Sequence, residues 1–266
     1  MAHSLALHQL CLMDVAPADL PAITRQAGLS QLSVFVTPPS PDLDIFPCVK
    51  AGRDLRVFVA ACGAQGVRVH NIDVFSVGPE TRVADFEPAL DIGAEIGARR
   101  LTALVQDADT GRAASRMAEL AELARMRGIT VSIEFMKFSE VRSIEAGAAF
   151  LARAGHDNLS LLVDVLHLYR TGGNVADLKA IDAALIGAAQ ICDGPLDAPE
   201  SGFAEALNDR GIPGEGEFPL QAFVAALPAN CPIDIEAPLK RLADAGVSPL
   251  ERAQRLVRAT SALAAR

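Results

Sequence analysis

The chain has no tryptophan and one tyrosine, Tyr169, and aromatic residues make up only 5% of its 266 positions. That is little equipment for stacking on long sugar polymers, and it points to a small substrate. Positive charge is also scarce. The formal net charge is −9, so the clustered Lys and Arg that grip nucleic acid are not expected, and the acidic balance mostly reports solubility. No apolar run approaches the length of a membrane span. Met1-Ala2-His3-Ser4 offers neither the basic start nor the long apolar stretch of a signal peptide. The five cysteines, Cys11, Cys48, Cys62, Cys192 and Cys231, are scattered, odd in number and form no CxxC. A reduced, cytoplasmic protein is the expectation, not a disulfide framework. No G-x-G-x-x-G follows the first apolar run, which weakens a dinucleotide-binding reading.

What is present is a regular alternation. Strand-like runs occur at Leu5–Leu12, Leu32–Val36, Val67–Val74, Arg100–Val105, Thr130–Phe135, Leu159–Val163, Gly187–Cys192 and Ile233–Glu236. Helical patterns lie between them, at Pro17–Gln26, Arg53–Cys62, Glu87–Ile96, Ala113–Arg127, Val141–Ala154, Val175–Leu185, Leu220–Leu227 and Pro249–Ala264. Several of these stop at a glycine, the expected C-terminal signal. Eight alternations in a chain of this length predict one closed (β/α)8 TIM barrel spanning residues 1–266. Hydrophobic residues at 50% supply its core. The stretches Thr37–Pro47 and Asp193–Pro219 read as long loops after strands two and seven, where a barrel builds its active-site mouth.

Four of the later runs end on, or carry, an oxygen-bearing side chain: Glu134, Asp164, Gln190 and Glu236. An acid at the end of a buried strand is costly unless something pairs with it. The order and spacing of Val131-Ser132-Ile133-Glu134, Leu162-Val163-Asp164-Val165-Leu166-His167, Gln190-Ile191-Cys192-Asp193, Pro213-Gly214-Glu215-Gly216-Glu217 and Ile233-Asp234-Ile235-Glu236 resemble the xylose-isomerase-like barrel superfamily of sugar phosphate isomerases and epimerases. The resemblance covers nearly the whole chain. It implies one divalent metal held by Glu134, Asp164 and Glu236. The fourth family ligand is usually a His, and here Gln190 stands in its place. An all-oxygen set favours Mn²⁺ or Mg²⁺ over Zn²⁺.

The resemblance also implies proton transfer next to a carbonyl on a small sugar, sugar phosphate or related hydroxy-carbonyl compound. Glu134 and Glu236 would serve as the acid/base pair, and His167 would act beside the metal or on substrate. Lys137 is a candidate general acid or electrostatic stabiliser, or else a solvated loop charge. His8 and His70 are candidate substrate contacts from strands one and three. Arg170 and Arg210 are candidate clamps for a phosphate or carboxylate. The alternatives are a lyase acting on an inosose or dehydroshikimate-like ketone, a non-catalytic relic of the fold, and a His-rich DNA-repair branch that five histidines do not suit. The resemblance makes a homo-oligomer plausible; the residues themselves carry no sign of one.

Overall fold

In the computed structural model, which describes residues 3–39 and 45–264, eight parallel strands close into a barrel in sequence order. They are β1 (Leu5–His8), β2 (Gln31–Phe35), β3 (Arg68–Val77), β4 (Arg100–Val105), β5 (Thr130–Glu134), β6 (Leu159–Asp164), β7 (Ile186–Ile191) and β8 (Ile233–Ile235). The ring closes where β1 pairs with β8, Leu5 against Ile233 and Leu7 against Ile235. Parallel neighbours need long crossovers. Helices supply them: α1 (Leu20–Gln26), α2 (Arg53–Gln65), α3 (Glu87–Glu95), α4 (Thr110–Arg125), α5 (Ile144–Ala154), α6 (Val165–Arg170), α7 (Val175–Ala180), α8 (Gly202–Asn208), α9 (Leu220–Ala226), α10 (Lys240–Asp244) and α11 (Pro249–Ala264). No helix among the described residues is long and apolar enough to cross a membrane. Residues 40–44, inside the expected Thr37–Pro47 loop, lie outside the described residues.

All eight expected strands and the main helices form, with differences that have local causes. β1 stops at His8, where Gln9–Leu12 forms a 3-10 turn that brings the Leu10 amide 3.1 Å from His8 Nδ1. The expected Val175–Leu185 helix ends at Ala180, where Ile181 turns extended. α6 begins directly at the end of strand six, which the apolar periodicity does not reveal: Asp164 Oδ1 accepts from the Leu166 amide at 2.8 Å and starts the helix. α8 and α10 are short helices that the apolar periodicity does not reveal. Gly66 and Gly155 close α2 and α5 in left-handed conformations, as a C-terminal glycine should.

The main core packs the outer faces of the strands against the helices. Inside the barrel the lower layer is polar. Ser33 donates to Asp234 at 2.8 Å, Asn71 to Thr102 at 2.9 Å, and Arg100 to Ser132 at 2.8 Å. Gly187 leaves room for that arginine: a Cβ there would stand 2.6 Å from Arg100 Nη1.

Candidate active site

The strand ends bring a buried acidic cluster together. Asp164 and Gln190 are paired positions on β6 and β7, so their side chains leave the sheet side by side on the same face. Glu134 ends β5, and Glu236 follows β8 directly. Glu134, Asp164, Gln190 and Glu236 are all buried. Glu134, Asp164 and His167 each offer a ligand atom within 4.8 Å of the others. His167, on the first turn of α6, sets Nε2 3.6 Å from Glu134 Oε1 and 3.7 Å from Asp164 Oδ2. Glu236 stands on the other side of Arg210, whose Nη1 donates to Asp164 Oδ2 at 2.7 Å and to Glu236 Oε2 at 3.0 Å.

The electrostatics follow from this crowding. Burial, with Glu236 and Asp164 nearby, holds the Glu134 carboxyl well above the usual range. Burial likewise pushes Glu236 up to about 7, against the pull of Arg210 and His8. Burial drives His167 down to about 4, so its imidazole is neutral. Arg210 keeps its proton despite burial, because Glu236 and Asp164 hold it. His8 is wedged between two acids. Its Nε2 lies 2.9 Å from Asp73 Oδ2, and Glu236 Oε1 lies 3.3 Å from the Nδ1 that faces the Leu10 amide. Burial disfavours its cation, yet Glu236 and Asp73 outweigh it and raise the pKa to about 9. Protonating the ring turns Nδ1 from an acceptor for Leu10 into a donor to Glu236.

Several observations test whether these residues suit a divalent cation. The Gln190 Oε1 atom is buried with no hydrogen-bond partner, a hard neutral donor left over at the carboxylates' side. The neutral His167 ring adds a nitrogen donor. The raised pKa values of Glu134 and Glu236 show carboxyls buried and crowded together, a setting in which a bound cation would favour their charged forms. The set fits a divalent ion, provided Arg210 releases at least one of its two carboxylates.

A cavity of about 680 Å³ opens above the cluster, with Glu134, His167, Arg210 and Glu236 on its floor. Asp164 and Gln190 sit behind that floor and are not exposed to it. The structure does not bring the other candidates to it. Lys137 points into solvent. His70 is the extra residue where β2 and β3 slip register, between the Leu32–Val69 and Ser33–Asn71 pairs. It does not line the cavity, and burial lowers its pKa. Arg170 is tied down elsewhere, donating to both oxygens of Glu205 at 2.7 Å beneath the Phe218 ring.

Two acids to which the sequence alone assigns no role shape the site. Asp73 orients His8, and also accepts from Asn71 at 3.0 Å. Its signal was the same as that of the others, an acid inside an apolar run. Asp193 organises the loop that delivers Arg210. It accepts from the amides of Gly194 and Gly214 at 2.8 Å and of Phe218 at 3.1 Å, while its backbone bridges to Gly211. Gly216 permits this fold, since a Cβ there would stand 2.6 Å from the Gly194 amide nitrogen. Gly216→Ala is therefore expected to cost about 1–3 kcal/mol by overpacking. A thermal melt would show a lower midpoint, and an unchanged midpoint would mean that the loop has slack.

The model of the xylose isomerase-like TIM barrel family matches residues 21–259. The chain belongs to that family. Among curated relatives of the xylose isomerase-like barrels, an inosose isomerase of Halalkalibacterium halodurans is 28% identical over 113 residues, 42% of this chain and 39% of that protein. The alignment thus spans well under half of that relative. Among solved structures, the IOLI protein with a bound zinc atom superposes with a TM-score of 0.79 at 17% identity, covering 98% of both chains. The D-allulose 3-epimerase of Methylomonas sp. superposes at 0.74 with 16% identity, again over 98% of both chains. At these identities the structural likeness speaks for the fold.

Proposed function

We propose that this xylose isomerase-like barrel is a divalent-metal-dependent isomerase or epimerase that moves a proton next to a carbonyl on a small hydroxy-carbonyl substrate. The observation that supports the reading is the convergence of Glu134, Asp164 and His167, each with a ligand atom within 4.8 Å of the others, beside the unpartnered Gln190 Oε1 at the paired end of β7. The inosose isomerase likeness and the epimerase fold favour the same reaction class. Glu134, Asp164, Gln190 and Glu236 would hold the metal, with the His167 nitrogen close enough to join them. Mn²⁺ and Mg²⁺ suit the oxygen donors, and the zinc of the IOLI protein keeps Zn²⁺ in the comparison. When bound, such an ion polarises the carbonyl and acidifies the neighbouring C–H.

The chain's own groups would do the rest. Glu134 and Glu236 both border the cavity, where one carboxylate can take a proton from carbon and the other can return it. His8, fixed by Asp73, would orient Glu236. Neutral His167 would orient Glu134 or meet a substrate hydroxyl. Arg210 would steady the negative charge that develops on substrate oxygen.

The test is deuterium wash-in with Mn²⁺ across small ketoses, inososes and cyclic hydroxy-ketones. Exchange at one carbon next to the carbonyl is expected, reduced by about 100-fold or more in Glu134→Gln and Glu236→Gln. Loss of water from the same substrates would turn the reading to a dehydratase. Bound Mn²⁺ with no exchange on any of them would leave a binding protein.

A further inference from the structure

Above its acidic floor the cavity has a second surface that proton transfer does not use. Leu10, Phe35 and Phe46 form an apolar cluster of their own, apart from the main core, with Val74 and Leu207 packed against it. All five line the cavity. Leu10 follows β1, and β5 lies opposite β1 in the ring of eight. From the β5 side come Met136 and Phe138, and Phe203 of α8 meets Phe138 edge-on at 5.4 Å. Phe138 is 37% exposed and Phe203 47%. Two phenyl rings held partly in water at a cavity mouth gain free energy when a ligand covers them.

Size and charge narrow the occupant. A liquid water occupies about 30 Å³, so the dozen heavy atoms of a hexose fill at most roughly 360 Å³. That leaves close to half of the approximately 680 Å³ cavity. Arg210 is the one cation among the described lining residues, and two carboxylates already engage it. Glu80, Glu134 and Glu236 border the same space. The described lining residues therefore offer no free side-chain cation to hold a phosphate.

We propose that the substrate is an uncharged hydroxy-ketone or hydroxy-aldehyde carrying an apolar group of aryl size, which lies between the Leu10–Phe35–Phe46 wall and the Phe138–Phe203 pair. The proposal takes the head group from the proton-transfer reading above and adds the apolar group from the cavity wall.

A matched pair of probes tests it. 2-Hydroxyacetophenone and hydroxyacetone share the hydroxy-ketone and differ in phenyl against methyl. On Mg²⁺-loaded protein, ligand-observed NMR titration should find the phenyl ketone bound at least about 10-fold tighter, as expected for burying a phenyl ring. In Phe138→Ser and in Phe203→Ser that preference should shrink to about 3-fold or less as the covering area is lost. Both rings are partly exposed, so these variants spare the core. Equal affinity for the two ketones, or no binding of the phenyl ketone at millimolar concentration, overturns the proposal. Deuterium exchange on the same samples separates the two readings. Exchange with equal affinities removes the apolar group and keeps proton transfer. A tenfold preference without exchange keeps the apolar group and removes proton transfer.

Discussion

Asp164→Asn and Glu236→Gln are each expected to weaken Mn²⁺ binding by more than the 10–100-fold, roughly, that follows loss of a group that merely orients a ligand. Proton exchange should fall by about 100-fold or more. Asparagine is the informative replacement at Asp164. Asp164 Oδ1 also accepts from the Leu166 amide and starts α6, and an asparagine oxygen can do the same. A loss of metal then reports the charge, not an unwound helix. Metal analysis of dialysed protein is the readout. Unchanged metal content in both variants would remove the metal site itself. Gln190→Ala should have a smaller effect, because a neutral oxygen contributes less to a cation than a carboxylate does.

Arg210→Met should destabilise the metal-free protein by about 3–5 kcal/mol, the cost of stranding buried charges. For a chain of this size that is a fall of roughly 5–10 °C in the melting midpoint. The guanidinium is buried between Asp164 and Glu236, and its Nε donates to Ala206 O at 2.9 Å. Methionine fills the stem's space but supplies no charge. Mn²⁺ should then restore stability, by about 2.7 kcal/mol at a hundred times its dissociation constant. At one common Mn²⁺ concentration the gain should exceed that of the unaltered protein, where the ion competes with Arg210. Calorimetry with and without Mn²⁺ measures both. A variant that melts with the unaltered protein and gains no more from Mn²⁺ would show that Arg210 does not balance the acids.

The closed barrel was legible because each strand is a near-continuous apolar run followed by a helical stretch, often ended by glycine. Glu134, Asp164 and Glu236 were legible because an acid ending such a run has few bland explanations. The partners of those acids were harder to see. Arg210 reaches an acid 46 positions earlier, and only the Asp193-centred loop makes that meeting possible. Arg170 has the same chemistry in the sequence, but Glu205 captures it first. His70 drops out through a slip of one residue between β2 and β3, and no alternation of apolar and polar residues announces such a slip. Lys137 is three residues beyond Glu134, by which point the chain has left the strand and turned to solvent.

The placement of the two cavity surfaces has a bearing on how such a protein can change. The groups proposed to handle the proton sit on strand ends, whose positions the whole barrel fixes. Much of the apolar wall, Phe46, Phe138 and the α8 residues Phe203 and Leu207, sits on the connections between strands. Connections tolerate replacement far better than paired strands do. New molecules can therefore be admitted by rewriting short stretches of chain, with the reaction inherited intact.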